Sequence, residues 1–463
     1  MSPRMQGVAA LTIMFLWFPA LTPSAAEADS TILLQMQQQM QHMQIRMGEL
    51  EKQNQDLKTR LDQYEQQAPV AVGTAAASPA SVSSEIKNET GSKALPVEFY
   101  GFVKLDASYD TDRMNNGNFT KWVESGSYSP NDDEFNMTAN QTRFGLNFKG
   151  PDVGPLKTSG KIESDFYGSG GAENTSNFRM RHAYLKMDWP ESDFSILAGQ
   201  TADIISPLLP NTVNFDYLRN IGNLGFRRPQ VRLTKGFPIG ESRVQLEGGV
   251  TRTIGDTLWG FDPGDTGEDA GFPTMQGRVS YTFPWLTEKD TTIGISGHWG
   301  EEEADYDRKN HAVHVDTWSL NLDLTLPLME KLALVGEAWT GSNLDGLYGG
   351  AGQGVQGLDR DGNLANGYEF PGSGIDAQGG WAAFEIGPFG AFRYMLGASI
   401  DDPENGDLNP KQRSCNLSYF GNVYYNITKS LSTALEVSYW ETDYIDLLDG
   451  DSLRLQGAFI YKF

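Results

Sequence analysis

From Leu453 to Phe463 the chain alternates: Leu453, Leu455, Phe459, Tyr461 and Phe463 share one parity, and Arg454, Gln456 and Lys462 share the other. Successive side chains of an extended strand point to opposite faces, so this segment offers one face to hydrocarbon and one to water. A soluble sandwich strand alternates too, but it seldom ends on an aromatic pair of the kind that suits a bilayer interface. Comparable segments lie near 97–110, 140–149, 158–167, 176–188, 193–202, 226–234, 242–252, 273–283, 290–299, 312–326, 330–340, 377–386, 389–400, 413–425, 431–442 and 451–463, sixteen in all. Short gaps such as Pro190-Glu191-Ser192, Pro327-Leu328-Met329 and Gly387-Pro388 interleave with long ones such as 111–139, 203–225, 253–272 and 341–376. Short turns at one end and long loops at the other are the plan of an outer-membrane barrel. The pattern predicts an all-β transmembrane fold over 97–463, an antiparallel barrel of about sixteen strands with an aqueous lumen. An even count returns both chain ends to the periplasmic side.

Ahead of the barrel the period changes. Leu33, Met36, Met40, Met43, Met47, Leu50, Asn54, Leu57, Leu61 and Tyr64 are spaced alternately by three and four, as are the a and d positions of a coiled coil. A stripe this narrow, sustained over several heptads, predicts a homo-oligomeric α-helical seam across 27–67 in preference to a helix lying on the barrel. Asn54 at an a position fixes register at a cost in stability, while the methionines pack adaptably and leave two or three strands open. At the start, Arg4, the apolar run Val8 to Phe18, Pro19 and then Ser24-Ala25-Ala26 read as a secretory signal over 1–26, too short to span a bilayer. Residues 68–96, rich in Pro, Ala and Ser, read as a linker.

Composition narrows the picture further. A mean hydropathy of -0.42 is too polar for a bundle of membrane helices, while 11% aromatic residues and 51 glycines suit many short strands and turns. That leaves a closed barrel as the way across a membrane. A net charge of -24 argues against a nucleic-acid partner. The single Cys415 excludes an intramolecular disulfide. The five histidines, His42, His182, His298, His311 and His314, fall on separate segments without a serine or acid motif. The expectation is therefore no enzyme, no bound metal and no cofactor. A tether to the cell wall, the remaining class, lacks a recognisable wall-binding module.

The segments FYGFVKLDASYD (99–110), TRFGLNFKGPDVGPLKTSGKIESDFYGSGG (142–171) and FRMRHAYLKMDWPESDFSILAGQT (178–201) resemble the DcaP-like trimeric outer-membrane porins. The resemblance is carried by the first five strands and is mainly architectural beyond about residue 235. It implies a sixteen-stranded trimeric porin of the Gram-negative outer membrane, in contact with lipid and lipopolysaccharide, with a periplasmic coiled coil. It also implies an arginine-lined pore for small organic anions such as dicarboxylates. Phosphate-selective and sugar-selective porins share much of this plan.

Strand parity nominates the lumen side chains. With Phe144, Leu146 and Phe148 facing out, Arg143, Asn147 and Lys149 face in. The same logic turns inward Lys104 with Asp106, Lys161 with Glu163 and Asp165, Arg179 with Arg181, and Arg232, Arg243, Arg278, Arg393, Glu436 and Arg454, and turns outward His182 and Tyr184, toward a subunit contact. The inward arginines serve either to attract anions or to pair with inward carboxylates and hold the wall. Residues 203–225, with Ile204, Ile205, Leu208, Leu209, Val213, Phe215 and Tyr217, are too apolar for a solvated loop. They are expected to fold inward and narrow the channel, with Asp216, Arg219, Arg227 and Arg228 near the constriction; burial at a subunit contact is the alternative. The acidic runs Asp132 to Glu134, Glu301 to Glu303, Asp401-Asp402 and Asp443 to Asp451 fall in expected outer loops as solvated faces. Asp359 to Asn363 begins like a calcium loop but lacks the flanking helices.

Overall fold

The computed structural model describes residues 96–463 except 118, 130–131, 169–175, 256–268, 306–311 and 358–371. These residues belong to one unit of the chain, Val82–Phe463. The secretory signal over 1–26, the seam from Leu33 to Tyr64, the linker to residue 95, His42, His311 and the calcium-like run 359–363 lie outside them.

Seventeen strand segments close into one antiparallel ring. They are β1 (Val97–Asp110), β2 (Glu134–Thr138), β3 (Arg143–Lys149), β4 (Lys157–Asp165), β5 (Arg179–Trp189), β6 (Phe194–Ala202), β7 (Arg227–Ile239), β8 (Ser242–Thr251), β9 (Thr274–Pro284), β10 (Asp290–Asp305), β11 (Ala312–Met329), β12 (Leu332–Ser342), β13 (Asp376–Phe389), β14 (Phe392–Pro403), β15 (Arg413–Asn426), β16 (Leu431–Tyr444) and β17 (Gly450–Lys462). β2 pairs with the second half of β1 and β3 with the first half, so together they fill one place in the ring. The barrel therefore has sixteen strands. The second begins at Glu134, earlier than the alternation suggests, and is interrupted at 139–142, where Thr142 Oγ1 accepts the Lys104 amide at 3.2 Å. β17 closes on β1 with Phe102 opposite Lys462 and Asp110 opposite Arg454.

Closure matters because an open edge in hydrocarbon would leave backbone groups unpaired. No helix among the described residues is long and apolar enough to cross a membrane; the strands do this instead. Their outer face is apolar, with Leu105, Ile162, Leu233, Val279, Ile295, Leu396 and Leu455 all exposed. At the short-turn end aromatic pairs form a girdle: Phe99 stacks on Phe463 with centroids 5.3 Å apart, Trp189 lies 5.5 Å from Phe194, and Phe392 lies 4.7 Å from Tyr425.

One orientation departs from simple alternation. The β4–β5 register shifts between Glu163, which faces His182, and Ser164, which faces Met180, so Arg181 is the extra residue of a bulge. The bulge reverses parity along β5. His182 therefore points inward and not outward as expected, with Nδ1 3.0 Å from Thr201 Oγ1 and Nε2 3.8 Å from Glu163. Tyr184, opposite the inward Lys161, faces the lumen too. Neither is available to a neighbouring subunit.

Candidate pore site

The long connection between β6 and β7 lies inside the barrel. Its apolar side chains are almost fully buried: Ile204, Ile205, Val213, Leu218, Ile221 and Leu224 are at most 2% exposed. At about 2 kcal/mol for each such side chain, this burial alone is enough to hold the segment off the solvent. Polar side chains of the wall then take up its backbone groups in sequence. Gln276 on β9 accepts the Ile204 amide (2.7 Å), Glu337 on β12 the Leu208 amide (2.7 Å), and Glu436 on β16 the amides of Val213 (2.7 Å) and Asn214 (3.3 Å). Lys104 Nζ donates to Val213 O at 2.8 Å, and Asn422 Nδ2 to Asn211 O at 3.0 Å. Trp339 Nε1 donates to Gly222 O at 2.7 Å. Gly222 has φ +128°, and a Cβ there would lie 2.2 Å from Gly380 O, so only glycine lets the loop approach the wall this closely. Burial at a subunit contact is thereby ruled out for this segment. Two further connections enter as well, a result the sequence reading did not anticipate: Met114 and Val123 from 111–133, and Leu344 and Leu347 from the β12–β13 connection, are buried.

The loop sits against one side of the lumen. Several inward residues of β12–β16 there are apolar, with Val335, Trp381, Ala383, Met395, Phe420 and Trp440 in one cluster with Leu218 and Ile221, between the polar Glu337, Asn422 and Glu436 that bond the loop. The opposite wall, β3–β9, is charged. Arg181 Nε is 2.8 Å from Glu163 Oε1 and its Nη1 2.8 Å from Asp165 Oδ2. Arg179 bonds both Asp165 oxygens at 3.0 and 2.9 Å. Arg143 and Lys161 each lie 3.6 Å from Glu163. Arg278 binds Asp323 at 2.9 and 2.7 Å and Glu247 at 3.2 Å, Arg232 lies 3.8 Å from Glu247, and Arg243 reaches Asp193 at 2.7 Å. Arg228 Nε is 3.1 Å from Asp203. On the other side of the lumen Arg393 stands over the Tyr424 ring at 5.7 Å, and Arg454 pairs with Asp110 at 2.7 Å. Most of the nominated arginines thus have carboxylate partners. Asp193, Asp203, Glu247 and Asp323, which parity arguments on the charged strands did not single out, supply several of them.

A smaller set is not neutralised. Arg227 is 6% exposed. Its guanidinium, 4.8 Å from the Phe226 ring centroid, makes no ion pair or hydrogen bond among the described residues. It lies in the field of Arg179, Arg181 and Arg219. Arg219 Nε donates to Gly225 O at 2.8 Å and its guanidinium stacks 5.6 Å from Tyr348. Lys121 lies 5.7 to 5.8 Å from the rings of Phe119, Trp122 and Tyr348. Around this point seven cations, Lys121, Arg143, Lys161, Arg179, Arg181, Arg219 and Arg227, meet three carboxylates, Glu163, Asp165 and Asp216. Burial pushes the Asp216 carboxyl up to about 7, against the pull of Lys121 and Arg219. Burial also acts on the Tyr217 phenol, yet Arg143, Arg181 and Lys104 hold it below its ordinary range. A phenol shifted downward despite burial reports a positive local field. Lys121 was missed from the sequence, although Phe119 and Trp122 beside it mark that stretch as unlike a solvated loop. No group of three or more metal-ligating side chains able to hold an ion occurs among the described residues.

Residues 27–250 match the family model described as DcaP outer membrane protein. The crystal structure of the outer membrane channel DcaP of Acinetobacter baumannii aligns with a TM-score of 0.63 at 22% identity, over 82% of this chain and 99% of that one. An anion-selective porin from Comamonas acidovorans aligns with a TM-score of 0.49 at 12% identity, over 80% and 100%. The trimer form of in-vitro folded OmpT, an outer membrane protein of Vibrio cholerae, gives 0.48 at 10%, over 80% and 100%. Among curated proteins none matches. The first of these structures shares the sixteen-stranded barrel fold.

Proposed function

We propose that this chain, matched over residues 27–250 by the family model described as DcaP outer membrane protein, is a porin of the Gram-negative outer membrane whose channel selects small organic anions, dicarboxylates among them. The observation that carries this reading is the unpaired, buried Arg227, grouped with Lys121 and Arg219 where the inward loop meets the charged wall. A guanidinium held away from bulk water, with no carboxylate of its own, favours an anion more strongly than the same charge on an open surface. The net charge of -24 does not oppose this. The acidic runs expected in outer loops lie partly on strands, with Glu302 on β10 and Asp401 on β14 buried, but exposed acids such as Asp132 and Asp133 are screened over about 8 Å at physiological salt, whereas the cluster acts at contact range.

A salt gradient across a planar bilayer tests the reading. The expected reversal potential has the anion-selective sign, and Arg227→Ala moves it toward cations. A cation-selective wild-type channel overturns the proposal, and a pore indifferent to charge but slowed by maltodextrins favours the sugar-selective alternative. The accompanying assembly is a trimer of this chain, with barrel-to-barrel packing through the early strands supplying most of the association and the seam expected over 27–67 holding the copies together. Cross-linking of the extracted protein checks it, and a purely monomeric product would sink it.

A further inference from the structure

Below the cationic cluster, toward the short-turn end, the same wall holds a second cavity of about 640 Å³. Arg181 and Lys186 are five residues apart on β5, which at strand rise separates the two places by roughly 16 Å. Here the charges balance. Lys186, Arg232 and Arg243 line the cavity with Asp188, Asp193 and Glu247. Arg243 and Asp193 close on each other at 2.7 Å and have little left to offer. Lys186 and Asp188 stand 3.7 Å apart and Arg232 and Glu247 3.8 Å apart, too far for hydrogen bonds. Among the described residues Lys186 Nζ, the Asp188 carboxylate and Tyr184 Oη have no hydrogen-bond partner. The cavity thus presents a loose ion pair, a cation and an anion 3.7 Å apart and, among the described residues, neither of them hydrogen-bonded.

We propose that this cavity is a second, exit-side binding site and that the channel's preferred solute is an amino-dicarboxylate: a net anion that also carries an ammonium group. The inference rests on the anion reading of the cluster above it. A simple dicarboxylate approaching Lys186 meets Asp188 beside it and gains little. An α-amino acid places an ammonium next to a carboxylate, and so satisfies both side chains together, with Tyr184 Oη free to donate to the carboxylate. Both charges are more than a third exposed, so each contact is weak. Weak contact suits a channel, where a solute has to leave the site as readily as it enters.

Glutamate and glutarate separate the possibilities, because they share a five-carbon skeleton and differ by the ammonium group. Each is added to the protein in a planar bilayer, and the duration of current blockage is read. Glutamate is expected to stay about twofold to fivefold longer, the scale of an exposed ion pair, although glutarate carries the larger negative charge. Asp188→Asn is expected to erase that advantage, and heat-modifiable migration in gels shows that the variant barrel is folded. Equal or longer residence of glutarate in an anion-selective channel overturns this proposal alone. So does a neutral sugar retained as long as glutamate. A cation-selective reversal potential instead sinks the reading on which it rests.

Discussion

The two sides of the lumen solve different problems with the same strand pattern. On β12–β16 inward positions are filled by Val335, Trp381, Met395, Phe420 and Trp440, and the loop after β6 packs on them. On β3–β9 many inward positions are arginines, lysines and carboxylates, and the loop meets them with Phe215, whose ring lies 5.5 Å from the Arg179 guanidinium and 6.0 Å from that of Arg181. Hydrophobic burial is indifferent to direction, so an apolar loop goes to whichever wall is apolar. An open cavity remains along the charged wall, lined by residues of β5 to β8. On the proposed reading, the selectivity of the channel depends on where the loop adheres as much as on the arginines themselves.

Dislodging the loop is expected to have the largest effect. Gly222→Val puts a branched side chain where a Cβ already meets Gly380 O at 2.2 Å, so the loop lifts from the apolar wall and single-channel conductance rises severalfold while discrimination falls. Unchanged conductance in a folded variant would show that the loop does not set the bore. Next comes the replacement of Arg143, Arg179 and Arg181 by alanine, which strips Asp165 of both its guanidinium partners and Glu163 of Arg143 and Arg181. Leaving buried carboxylates unpaired costs about 3–5 kcal/mol for each broken pair. The triple variant is expected to lose thermal stability as well as anion preference, whereas Arg227→Ala loses anion preference at nearly unchanged melting temperature. Equal destabilisation in both would mean that Arg227 has a structural partner after all.

The smallest effect concerns pH. With its carboxyl raised to about 7 by burial, Asp216 is neutral in mildly acidic solution and charged in mildly alkaline solution. Its negative charge appears as pH rises, so anion preference should be greater at about pH 5.5 than at about pH 8, and Asp216→Asn should flatten the difference. For stability the sign is the same: an acid whose folded value is raised is destabilising once ionised, so its contribution falls as pH rises from the unfolded value of about 3.9. Reversal potentials measured at the two pH values decide the point, and a preference that grows with pH would place Asp216 outside the conduction path.

The sequence by itself determined the barrel, its sixteen strands and the inward loop. Each of those follows from a local signal. Alternation with period two reports a wall with two solvents, and Ile204, Ile205, Val213 and Phe215 within one supposed surface loop report burial. Only the tertiary structure decided which charges meet. Arg243 pairs with Asp193 across fifty residues and Arg278 with Asp323 across forty-five, distances in sequence at which parity says which face a side chain has and nothing of its partner. The bulge at Arg181 turned His182 and Tyr184 inward, because one extra residue reverses every side chain on one side of it. Arg227 stayed without a partner for the same reason that the others acquired one: ion pairing depends on register around a closed ring, and register is a property of the whole barrel.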